Sequence, residues 1–188
     1  MQCLVCEDQQ LSQKFIDNNL EGFFCSKCCG IWIQAKAYWN FIHSLNTVLP
    51  EKPESETLNV PVYDTSIMKI CPDCGHFLTK RKVGHGLDFH IDRCQCCGGV
   101  WLDKNEWDVL KSRNLHDVIH LIFSQEWQEE ILHEEEQKAY ESEIEILLGQ
   151  EDYNILRSFT ERFKHSPRKH VVLAYVQNSL IDKEKLND

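Results

Sequence analysis

No apolar run in this chain approaches the roughly 18–20 residues that span a bilayer as a helix. No basic leader followed by an apolar stretch precedes Cys3, so a cytoplasmic, reducing location is expected, with no membrane partner. Positive charge is scarce as well. The 188 residues hold 20 Lys and Arg against 30 Asp and Glu, a formal net charge of −10. A surface of that sign disfavours broad attraction to nucleic-acid phosphates. Two enzyme signatures stop short of completion. His133-Glu134-Glu135-Glu136-Gln137 starts like the H-E-x-x-H zinc-protease helix, but Gln137 stands where the second histidine belongs. Glu130 and His133 make half of a di-iron carboxylate motif, and no second half follows. A catalytic role is therefore not expected.

Cysteine is the residue present in excess. Ten occur, and eight form four C-x-x-C pairs. Cys3 and Cys6 are joined by Cys25 and Cys28; Cys71 and Cys74 are joined by Cys94 and Cys97. Both sets have the C-x₂-C-x₁₅₋₂₀-C-x₂-C spacing of a four-cysteine zinc site. Two residues between ligands let a tight turn aim both sulfurs at one ion, with backbone N–H groups pointing back at the thiolates. Iron on the same ligands is the lesser alternative, and a thioredoxin-like redox pair lacks its βαβ surroundings. A ribbon of about 40 residues has too little core to fold alone, so metal has to supply the stability.

An internal repeat fixes the ligand register. Cys25-Ser26-Lys27-Cys28-Cys29-Gly30-Ile31-Trp32 aligns with Cys94-Gln95-Cys96-Cys97-Gly98-Gly99-Val100-Trp101. Cys29 then falls opposite Gly98 and Cys96 opposite Lys27, so neither is a ligand in both copies, and both read as small fillers beside a knuckle. Gly75, Gly98 and Gly99 suit turns that need positive φ. The first copy has Glu7 and Leu4 where the second has Gly75 and Pro72, which predicts some strain in its knuckle.

Between the cysteine pairs, alternating segments predict hairpins over 11–16 with 20–24, and over 77–83 with 87–92. A helix follows each second knuckle. Asp103 and Glu106 form a capping-box pair for the helix 103–112, whose apolar face of Trp107 and Leu110 is echoed by Tyr38 and Phe41. His85, His90 and the pair His116/His120 are spare imidazoles, not required by shells that four cysteines close. From about Leu115 onward three amphipathic helices are expected, with Gly149 as a stop and Ser166-Pro167 opening the last. Short connections suggest a small bundle, a docking arm or a self-association element.

The stretch from Cys71-Pro72-Asp73-Cys74-Gly75 to Cys97-Gly98-Gly99-Val100-Trp101-Leu102-Asp103-Lys104-Asn105-Glu106 resembles the transcription factor IIB-type zinc ribbon of small bacterial proteins. Residues 3–42 resemble it more distantly. The resemblance implies a zinc-bound β-ribbon ligated by Cys71, Cys74, Cys94 and Cys97. The family takes its name from a eukaryotic factor whose ribbon contacts RNA polymerase, which leaves the function of this chain open.

The expected architecture is a small metal-bound α+β chain. It comprises a divergent ribbon and helix at 1–45, a proline- and acid-rich linker at 46–68, a second ribbon and helix at 69–113, and an acidic helical tail at 114–188. The ribbons are either independent or packed through Trp32 and Trp101. The expected cofactors are two Zn²⁺ ions. The expected function is a non-catalytic adaptor presenting ribbon loops, exposed tryptophans and the tail to a protein partner. The alternative is a nucleic-acid-binding or transcription-associated module that uses Lys80-Arg81-Lys82, and the tail offers a surface for homo-oligomerisation.

Overall fold

The structure is a computed structural model that describes residues 1–6, 8–45 and 47–180. Two compact units divide the chain, Met1–His133 and Glu134–Asp188.

In the first unit each half of the repeat contributes three strands. Residues β1 (Ser12–Asp17), β2 (Leu20–Phe24) and β3 (Ile31–Ile33) precede helix α1 (Ala35–Ser44). Strands β4 (Leu78–Gly84), β5 (Leu87–Cys94) and β6 (Val100–Leu102) precede helix α2 (Glu106–Ser112). All six join one sheet in the order β1-β2-β3-β6-β5-β4. That order reads the same from either edge, and the seam is the antiparallel pair β3–β6. There Ile31 faces Leu102, Trp32 faces Trp101 and Ile33 faces Val100. Since Ile31, Trp32 and Ile33 align with Val100, Trp101 and Leu102, Trp32 meets its own repeat-mate while Ile31 and Ile33 exchange theirs, as at a two-fold axis. The chain is thus its own isologous dimer.

Strand alternation assigns the two faces. Ile33, Val100 and Leu102 point to one side, where they meet Tyr38 and Phe41 of α1 and Trp107, Val109 and Leu110 of α2. Leu115 and the short helix α3 (Ile119–Ile122) complete this cover, with Ile119 and Ile122 fully buried. Trp32 and Trp101 point to the other side, among the clustered cysteines. Both indoles are fully buried, which corrects the expectation that they are exposed for a partner. The reason is the seam. Each ring lies on a glycine of the opposite ribbon, so that a Cβ on Gly30 would come within 2.2 Å of Trp101 and one on Gly99 within 2.3 Å of Trp32. Gly99 is required for this close approach and not for a positive φ.

The proline-rich segment between the ribbons connects them as a strap, not as a free tether. Arg113 donates to the Lys52 carbonyl at 2.6 Å, and Asn105 donates to the Pro61 carbonyl at 2.7 Å. Val60 and Val62 pack on the core. Helix α4 (Gln125–Leu148) begins in the first unit, where Trp127 Nε1–H donates to the Val83 carbonyl at 2.8 Å and Ile131 is buried. Contacts of this kind carry the ribbon unit past the expected start of the tail at 114, as far as His133.

In the second unit α5 (Gln150–Phe163) and α6 (Lys169–Leu180) bury no residue. Ile155, Leu156, Phe159, Val171, Leu173 and Tyr175 remain exposed. Helical periodicity is correctly read from the sequence, but these helices do not form a bundle with a buried core among the described residues.

Candidate metal centres

Each candidate ligand set comes from two knuckles at the base of a hairpin. In the second ribbon the Gly75 N–H donates to the Cys71 carbonyl and the Gly98 N–H to the Cys94 carbonyl, both at 2.9 Å. In the first ribbon the Cys29 N–H donates to the Cys25 carbonyl at 3.0 Å. These turns bring Cys3, Cys6, Cys25 and Cys28 together, and separately Cys71, Cys74, Cys94 and Cys97. Within each set every sulfur lies within 4.8 Å of every other. The pairs Cys3–Cys28 and Cys71–Cys97 are 3.5 Å apart, and Cys74–Cys94 is 3.3 Å. Such distances are far beyond a disulfide bond of about 2.05 Å. They approach the edge of about 3.8 Å of a tetrahedron with Zn–S arms of about 2.3 Å. All ten cysteines are free.

Backbone amides already point at the sulfurs. The Cys6 N–H donates to Cys3 Sγ at 3.2 Å and the Cys97 N–H to Cys94 Sγ at 3.5 Å. At Cys25 the penalty of burial is outweighed by the N–H groups of Cys28 and Lys27, which bring the thiol down to about 7. At Cys74 the N–H of His76 brings it down to about 6. Burial drives Cys28 and Cys71 well up instead. Four sulfurs this close cannot all ionise unless a cation sits among them, and a thiophilic divalent ion fits that demand.

The first ribbon's strain falls at Cys29, with φ 61° where the second ribbon has Gly98 at φ 77°. Glu7, the substitution expected to carry strain, lies outside the described residues. Cys96 is exposed and fills no space, which corrects its reading as a packing filler.

The motif W-L-D-x-x-E serves the scaffold, not the ion. Asp103 Oδ1 accepts from Trp101 Nε1–H at 2.7 Å, while Oδ2 accepts from the Thr65 N–H at 2.9 Å and its hydroxyl at 2.6 Å. The Glu106 carboxylate accepts the Asp103 N–H at 2.8 Å, but the expected capping box does not form, because Asn105 is the N-cap and no side chain caps the helix. The helix itself begins at Glu106, after Asn105 in the left-handed region, three residues later than expected. Burial, and then the charge of Asp103, push the Glu106 carboxyl well above its usual range. Lys69, wholly buried, sits 2.6 Å from Asp92 and 3.4 Å from Asp103. This polar knot between strap and ribbon has no counterpart in the first copy, where Gln34 and Ala37 stand in place of Asp103 and Glu106. No periodicity could have disclosed Lys69 as its buried cation. Asp64, Asp103 and Glu106 bring carboxylates within 4.8 Å of one another, but Lys80 pairs with Asp64 and Lys69 with Asp103, so two of the three already have a lysine partner.

The four histidines read as spare imidazoles are engaged elsewhere, whereas His76 lies beside Cys74. His85 Nδ1 lies 2.7 Å from the Glu51 carboxylate and its ring stacks on Trp127, and His90 pairs with Asp64 at 2.8 Å. His116 packs against Phe41 and Trp107, while His120 Nδ1 lies 3.0 Å from the Tyr38 hydroxyl. In the basic strand Lys80 is paired with Asp64, and Lys82 with Asp88 at 2.8 Å.

Residues 70–113 match the family described as transcription factor zinc-finger, of the transcription factor IIB zinc-ribbon type. That segment contains the whole second cage, and the other four-cysteine cluster lies at residues 3–28. Zinc is the metal this match indicates for donors of this kind. No curated protein and no solved structure gives a significant match to the chain. No helix among the described residues is long and apolar enough to cross a membrane.

Proposed function

We propose that a zinc ribbon at residues 70–113, fused across a sheet seam to a second four-sulfur ribbon, makes this protein a non-catalytic, two-zinc scaffold that offers its helical arm to a protein partner. One observation carries the reading: Trp32 and Trp101 are buried at the seam, while α5 and α6 bury nothing and display Leu156, Phe159 and Tyr175. Exposed apolar side chains on an amphipathic helix are the usual means of engaging a protein groove. Four thiolates around each ion leave no open coordination position, so zinc here is structural. Ten free thiols suit a reducing, cytoplasmic compartment.

The test is capture from native extract by the full-length protein beside a Leu156→Glu/Phe159→Glu variant of equal zinc content. A specific protein retained by the first and lost by the second supports the scaffold. Equal retention by both removes the arm from the account.

A second reading, a transcription-associated module touching nucleic acid, is favoured by the family description. The pairing of Lys80 and Lys82 with carboxylates counts against it. Binding to DNA or RNA across a salt series separates the two, since phosphate contacts impose a steep salt slope.

A further inference from the structure

We propose that the second ribbon carries a further, open site for a thiophilic d¹⁰ ion such as zinc, on the outside of its cage. The ligands are Cys96 Sγ, the His76 imidazole and Cys74 Sγ, the last shared with the caged ion. These three donors lie within 4.8 Å of one another. Two sulfurs and one imidazole are the ligand chemistry of zinc, and the fourth position is left to water. Cys97 already fills the corner of the cage beside Cys96, so the Cys96 thiol is spare. It is also exposed, as is His76, and an ion reaches both from solvent. His76 is held over the knuckle by its Nδ1, 3.2 Å from the Cys74 carbonyl oxygen.

The other ribbon shows that side chains from the two knuckles meet at this place. Lys27 occupies the position of Cys96, and its ammonium lies 3.1 Å from Asp8 in the loop after Cys6. One copy closes the gap between its knuckles with an ion pair. The other presents a thiol and an imidazole there, beside a thiolate with lone pairs to spare. Binding displaces the Cys96 proton to solvent and changes no oxidation state.

This site rests on Cys71, Cys74, Cys94 and Cys97 forming a metal cage, and the experiment separates the two claims. Full-length protein is titrated with Zn²⁺ and its stoichiometry read by native mass spectrometry, with a weak chelator present or absent. Two ions that survive the chelator and a third that does not are expected. Cys96→Ser and Cys96→Lys, the latter copying the first ribbon, are expected to lose only the third, and His76→Ala to weaken it. Cadmium-113 NMR of the cadmium form is expected to show coupling between two cadmium ions through Cys74 Sγ. A wild type that stops at two ions overturns the further site, as does a third ion unchanged in Cys96→Ser or one without that coupling. Fewer than two tightly held ions overturns the underlying cages instead.

Discussion

The two ribbons share a cage and a hairpin but not a means of support. The second anchors its closing motif from within: Asp103 gathers Trp101, Thr65 and Lys69, and Glu106 seals the turn. The first has Gln34 and Ala37 at those places and leans on its neighbour. Trp32 Nε1–H donates to Asp73 at 3.1 Å and Gln34 donates to the same carboxylate at 3.0 Å, both across the seam into the second ribbon. The reverse contact does not exist, because Val5 stands where the repeat would place Asp73. The lesson is that one copy of a duplicated ribbon can lose its own polar support, provided the other keeps a knot on which it can lean.

The strongest way to break this comparison is to remove one ligand from each side. A structural zinc contributes on the order of 10–16 kcal/mol of apparent binding energy. Cys94→Ser is expected to unfold the second ribbon and, by dissolving β6, to release metal from the first cage as well. Cys25→Ser is expected to leave about one zinc in the second cage. Metal content and circular dichroism of the two purified variants check the asymmetry, and equal losses would erase it.

The seam comes next. Trp32→Ala and Trp101→Ala each empty a fully buried indole site between the cages and are each expected to cost about 3–5 kcal/mol in denaturant unfolding. Similar losses follow from the two-fold relation of the rings, although only Trp101 donates to Asp103.

Glu106 sharpens the contrast through pH. Its carboxyl is pushed up by burial and by Asp103, so its contribution is fully present below the unfolded value of 4.5 and is lost as pH rises through the folded one. Glu106→Gln keeps an oxygen for the Asp103 N–H and is expected to gain stability relative to wild type as pH rises from 4.5. Thermal melts over that range check it; parallel curves would mean that Glu106 is ionised in the fold.

The smallest effect concerns the left-handed knuckle residue. Cys29→Gly is expected to stabilise by roughly 1 kcal/mol, and Gly98→Ala to destabilise by a similar amount, because a side chain in that backbone region strains against its own carbonyl. Urea midpoints measure both.

Much of this was legible in the residues. Spacing and repeat disclosed which cysteines gather into two groups of four, the hairpins and the helix after each second knuckle, because those depend on local turns and periodicity. Trp32 and Trp101 could not be placed, since an indole on a short strand is equally suited to a partner or a seam. Only tertiary pairing made Gly30 and Gly99 intelligible as the floor beneath those rings. The strap was hidden for a similar reason: Pro50, Pro53 and Pro61 signal a break from longer helices and strands, but nothing local says that Arg113 and Asn105 will bind the carbonyls beside them. The buried cation Lys69 answers to carboxylates 23 and 34 residues away in sequence, beyond the reach of any motif.

Stepwise removal of metal by a strong chelator, followed through the near-ultraviolet signal of Trp32 and Trp101, tests the scaffold most directly. The expected result is release of two zinc ions per chain, with loss of the tryptophan signal and the sheet. A metal-free chain that kept its native tryptophan environment would contradict it.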